Sequence, residues 1–168
     1  MDDEDRVKHY IELWKQTVAV QQHFNDIEWR IRQLALTALT FALGAAAVAA
    51  RERTSVVIFG INFQLSSTLL MFGLVLWGSF YFVDQVWYHR LLIGAVRHGE
   101  ELERAIQRHI PEAGLTQAIT KASPYQVRIG WGSRSYTTQI HSTIKLRMFY
   151  LIGAVTLALA AIALQISG

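Results

Sequence analysis

Residues 31–50, 65–83 and 148–166 are apolar almost without interruption, and Arg32 is the one charged residue within them. A helix rises about 1.5 Å per residue, so about 20 residues cross a hydrocarbon core of about 30 Å. Each stretch is therefore read as a membrane span. Between them the pattern becomes amphipathic. Tyr10, Leu13, Thr17, Val20, Phe24, Ile27, Ile31 and Leu34 recur at steps of three and four, with Ile11, Trp14 and Val18 widening the stripe. That period is helical, and with no Pro or Gly before Gly44 the helix is free to run into the first span.

The second span is expected to continue as a helix to His109, on a stripe of Leu91, Ala95, His98, Leu102, Ala105 and His109, until Pro111 stops it. Glu100, Glu101, Glu103, Arg104 and Arg108 dress its other faces. Residues 114–144 are rich in Ser, Thr, Gly and Gln; they are read as loop or short helices near the membrane surface, with a lead-in helix over 136–147. The fold class is all-α integral membrane, three transmembrane helices with long cytosolic amphipathic extensions. Its parts are a cytosolic helix 1–30, spans 31–50, 65–83 and 148–166, an outer interfacial loop 51–64, a cytosolic helix 84–110, and a cytosolic loop and lead-in helix 111–147. The apolar run 55–64 fits an interfacial segment, a tilted extension of the second span, or a dip into the bilayer and back.

Basic residues orient the chain. With the N-terminus inside, only Arg51 and Arg53 face out, while the segments before the first span and between the second and third hold the other Lys and Arg residues. The C-terminus then lies outside. Trp29, Tyr81, Trp87, Tyr88 and Tyr150 fall near the cytoplasmic boundary, where aromatic rings favour the headgroup level. The acidic start does not read as a secretory leader.

Composition sharpens this. Charged residues make up 17% of the 168, below the roughly 25% of a soluble domain. The net charge of +3 does not suggest nucleic acid, because Arg30, Arg32, His89, Arg90, Arg97, Lys145 and Arg147 gather at span ends, where an anionic leaflet attracts them. The absence of cysteine excludes disulfides, thiolate metal sites and cysteine nucleophiles. No cofactor or metal is expected, and HExxH, CxxC and Gly-rich phosphate loops are absent.

Candidate functional residues are few. Asp84, a carboxylate at the edge of hydrocarbon, needs a partner; Arg32 and Arg147 lie at the matching depth for an inter-helix ion pair. Asn62, Gln64 and Ser67 form a polar collar at the outer end of the second span, read either as backbone-bonding or as a pore mouth. Tyr10, Leu13, Val20, Phe24, Ile27, Leu91 and Leu102 offer an oligomer or partner face. Ala38, Ala42, Ala46 and Ala50, and Ala154 and Ala158, repeat at four-residue steps suited to close helix packing. Arg104 and His109 share the Arg-x4-His spacing of HEPN-class ribonucleases, although Ala105 stands where that family prefers a polar residue.

Glu28-Trp29-Arg30-Ile31-Arg32-Gln33 before the first span, and Trp87-Tyr88-His89-Arg90-Leu91-Leu92 through Gly99-Glu100-Glu101-Leu102-Glu103 after the second, give residues 1–110 an arrangement that resembles SLATT-type membrane effectors of bacterial nucleotide-signalling defence systems. The third span departs from that family's simpler two-span pattern. The resemblance implies a homo-oligomer that permeabilises the bacterial inner membrane on an infection signal, with the lipid bilayer and a soluble signalling protein as partners and no catalytic residues. The competing expectation is a membrane scaffold that tethers a soluble partner through residues 10–31 and 91–109; a ribonuclease is the outsider.

Overall fold

The computed structural model describes residues 3–129, 136–140 and 142–167, with side chains placed outside 127–140. It is mostly helical, and three of its helical runs are long and apolar enough to cross a membrane. The chain divides into two compact units. One joins Met1–Glu28 to Trp87–Leu146, and the other joins Trp29–Val86 to Arg147–Gly168.

Helix α1 is continuous over Asp3–Glu52, 50 residues that carry the first span and its polar extension. It ends where Arg53 turns left-handed, at φ 48°. The outer segment is a β-hairpin, β1 (Ser55–Ile58) paired antiparallel with β2 (Ile61–Gln64) in the register Ile58↔Ile61. Phe59 and Gly60 form its two-residue turn with φ of 50° and 79°, the positive values that match strand twist. None of the three expected forms of 55–64 included strand pairing. The run Val56-Val57-Ile58-Phe59 is β-branched and aromatic, and the hairpin pairs backbone groups that a dip into hydrocarbon would leave bare.

Helix α2 (Leu65–Tyr81) passes through a π-helical stretch, Phe82–Tyr88, into α3 (His89–Ile106). The helix therefore stops three residues short of His109, and the turn closes with the His109 and Ile110 amides on the Ile106 carbonyl. Helix α4 (Leu115–Ala122) and a second hairpin, β3 (Tyr125–Ile129) with β4 (Tyr136–Ile140), follow. The expected lead-in helix over 136–147 is thus a strand for its first half, since Tyr136-Thr137-Thr138-Gln139-Ile140 favours a pleated surface. Residues 130–133, expected as loop, lie outside the described residues. Helix α5 runs over Ser142–Ser167 and carries the third span.

In the span-bearing unit, small residues set the spacing. Ala35, Ala42, Ala46 and Ala49 of α1 are buried, as are Leu70, Gly73 and Trp77 of α2 and Tyr150, Gly153, Leu157 and Ala161 of α5. A Cβ at Gly73 would come within 2.8 Å of the Ala42 Cβ, and one at Gly153 would overlap the Trp77 ring. The outer faces carry Phe41, Val48, Phe72, Val75, Leu151 and Leu159, all exposed. Most of this unit's packing and most of its outer surface are thus apolar, apart from a polar centre at its end.

In the polar unit, α1 packs on α3. The α3 stripe that faces inward is His89, Gly99, Leu102, Glu103 and Ile106, rotated from the expected one; His98 and His109 are exposed. At Gly99 a Cβ would meet the ends of the Gln21 and Thr116 side chains, so α1 and α4 both approach α3 there. Hydrophobic periodicity scores a glycine as neutral and gives no sign of that approach.

Candidate functional site

The span-bearing unit has a polar centre at Asp84. The π-helical turn widens the helix so that consecutive residues, Asp84 and Gln85, both point inward, with Asp84 at 0% exposure and Gln85 at 8%. Arg32 of α1 grips the carboxylate with two donors, Nε to Oδ2 at 2.9 Å and Nη2 to Oδ1 at 3.2 Å, and the Tyr150 hydroxyl of α5 donates to Oδ2 at 3.0 Å. A bidentate guanidinium is the strong form of this pairing. Tyr150 is itself held, with its carbonyl accepting the Trp77 indole N–H at 2.7 Å and its ring edge-on to Tyr81. The three helices that carry the long apolar runs thus converge on one carboxylate. Beside it, the Gln85 Oε1 is buried with no hydrogen-bond partner among the described residues. Arg147, the other expected partner of Asp84, is exposed; Tyr150, three residues on, makes the contact from α5.

Of the expected collar, Ser67 is tied within the chain by its side chain, Gln64 and Asn62 by their backbone, and Asn62 is exposed. Ser67 is buried and donates to the Ala161 carbonyl at 2.9 Å; the Gln64 amide donates to Gln165 Oε1 at 3.1 Å; Gln165 Nε2 reaches the Asn62 carbonyl at 3.5 Å. Ser67 therefore does not face an open mouth. Its hydroxyl ties α2 to α5.

The polar unit has two buried clusters that sequence reading did not single out. Glu28 Oε1 meets His89 Nδ1 at 3.2 Å, and His89 Nε2 meets the Thr143 hydroxyl at 3.4 Å, linking α1, α3 and α5. Glu103, at 1% exposure, accepts the Trp14 indole N–H at 3.0 Å and the backbone amides of Thr116 at 2.6 Å and Gln117 at 3.0 Å. Burial opposes its charge, but these donors and the Thr116 side chain outweigh it and hold the Glu103 carboxyl below its ordinary 4.5. Glu103 was expected on a solvent face; it caps the first turn of α4 instead. The signal for Glu28 was present, since Phe24, Glu28 and Ile31 share one helical row and a charge in an apolar row calls for a buried partner.

The expected partner face divides. Leu102 is buried and Tyr10, Leu13, Phe24 and Ile27 are half-buried within their own unit, whereas Val20 and Leu91 stay exposed. Most of that stripe serves the chain's own packing. Arg104 is exposed and donates to the Glu100 carbonyl one turn back, and His109 lies in the turn beyond the helix. Among the described residues, no group of three or more His, Cys, Asp or Glu side chains is placed to hold a metal.

One feature of α1 escaped the sequence reading. Gln33, Thr37, Thr40, Gly44, Ala47 and Arg51 follow at steps of four and three and are all exposed. They lie on the side of α1 opposite the buried Ile31, Ala35, Ala42, Ala46 and Ala49. Thr37 and Thr40 bond back to the Gln33 and Leu36 carbonyls, and a Cβ at Gly44 would touch nothing. No protein family, characterised protein or solved structure matches the chain.

Proposed function

We propose that the chain is a self-associating effector of the bacterial inner membrane that forms a pore or disrupts the bilayer, in the defence role the SLATT resemblance implies. Three spans cross the membrane with the N-terminus inside and the C-terminus outside. The supporting observation is the outward row of α1. Lipid rewards large apolar side chains, as at Phe41 and Val48, whereas Gln33, Thr37, Thr40, Gly44 and Ala47 suit a second helix at close range. Self-association through α1 brings the Thr and Gln side chains of several copies together, where they are suited to line a polar path that a single chain cannot enclose.

The test is reconstitution in inner-membrane lipid vesicles, with the subunit number counted by single-molecule bleaching and release of an entrapped dye followed in parallel. Oligomers and leakage are expected, and Gly44→Leu with Thr40→Leu should abolish both while leaving the chain folded. A monomer that leaves vesicles sealed at every protein density sinks the reading.

A further inference from the structure

Helix α4 turns its apolar side outward. Leu115 is 52% exposed and Ile119 61%, with Ala118 and Ala122 exposed beside them and Tyr125, just beyond the helix, at 65%. Its inward side is Thr116, buried, whose amide is bound by Glu103. The Glu103 carboxylate at the first turn fixes that orientation, so the exposed apolar row is built in.

Past Glu112, which precedes the helix, the charge along the sequence is of one sign. From Ala113 to Gly168 the sequence has no Asp or Glu, while it carries Lys121, Arg128, Arg134, Lys145 and Arg147. Lys145 Nζ donates to the Ser123 carbonyl at 3.0 Å, at the C-terminal end of α4. Along α5, Lys145 precedes Met148, the first residue of the apolar run, by three residues, a rise of about 4.5 Å. The end of α4 is thereby tied to the first turn of α5.

We infer that α4 is an in-plane anchor, laying Leu115, Ile119 and Tyr125 into the headgroup layer of an anionic leaflet with Lys121 and Lys145 against its phosphates. Two features favour lipid over a protein partner: an apolar row flanked by Lys121 with Lys145 bound at the end of the helix, and a tether to the first turn of α5, the helix that carries the third apolar run. Amphipathic helices with basic rims bind interfaces by this combination, and lysines beside an anionic surface add electrostatic attraction. The inference rests on the membrane reading of α2 and α5 but not on pore formation.

The chain has no cysteine, so single cysteines report cleanly. Ile119→Cys, Phe72→Cys and Glu101→Cys, each carrying an environment-sensitive fluorophore, are compared in nanodiscs of phosphatidylcholine alone and with phosphatidylglycerol added. The label at 119 should be blue-shifted and shielded from an aqueous quencher several-fold more in the anionic discs. Lys121→Glu with Lys145→Glu should remove that gain, while the label at 101 stays in water throughout. A label at 119 that stays in water while the one at 72 is in lipid overturns the anchor alone; one at 72 in water overturns the membrane reading beneath it. Shielding at 119 that ignores lipid charge and vanishes at one chain per disc assigns the row to a second copy and also overturns the proposal.

Discussion

Each unit buries a carboxylate almost completely, and the two neutralise it by different means. Asp84, in the span-bearing unit, is matched by a full cation, Arg32, held bidentate and backed by a tyrosine hydroxyl. Glu103, in the polar unit, is matched by two amides at the start of α4 and an indole N–H, with no cation against it among the described residues. The helix N-terminus offers the equivalent of about half a positive charge. Those three donors suffice in a unit whose helices are largely polar on their outer faces. The carboxylate among the long apolar helices takes an ion of opposite sign.

The largest expected effect breaks the membrane-side arrangement. Asp84→Ala leaves the Arg32 guanidinium unmatched and should cost about 3 kcal/mol, the low end for breaking a buried pair, because the Arg32 side chain remains 27% exposed. Denaturant unfolding in micelles measures this, and Arg32→Met with Asp84→Leu should recover most of the loss; a double variant as weak as Asp84→Ala would refute the accounting. Glu103→Gln comes next, at about 2 kcal/mol for hydrogen bonds that lose their charge, read as faster amide exchange along α4.

The lowered pKa of Glu103 carries a sign. Its stabilisation is complete above about 4.5 and disappears as pH falls through the lower folded-state value. Exchange in α4 should accelerate on acidification below pH 4.5 in the natural chain, and less so in Glu103→Gln. Gly153→Ala pushes a methyl into the Trp77 ring and should cost about 1–2 kcal/mol as overpacking, with Trp77 fluorescence as the probe. Arg147→Gln should change stability by less than about 0.5 kcal/mol. A larger loss would make it a second counter-ion for Asp84 and blur the contrast between the units.

The three long apolar helices were legible because length and apolarity are one-dimensional properties. So was the need of Asp84 for a cation, since a lone charge at a span edge states its requirement. Which cation was not, because Arg32 and Arg147 sit at the same depth and only the azimuth of each helix separates them. The π-helical turn shifts that azimuth and leaves no compositional mark in Phe82-Val83-Asp84-Gln85-Val86-Trp87-Tyr88. Glu103 was misread because a charge among charges looks solvated, and its partners are backbone amides thirteen and fourteen residues later that no pattern records. Both hairpins hid for a related reason: strands of four or five residues give period two little room to show against a helical background.

Helix α1 has a mechanical consequence. At about 1.5 Å per residue its 50 residues extend about 75 Å, more than twice the thickness of hydrocarbon, and no proline or glycine softens it before Gly44. Its polar and apolar halves share one unbroken ladder of backbone hydrogen bonds, so a proline placed between them at Arg30 would interrupt that ladder and cost about 3 kcal/mol.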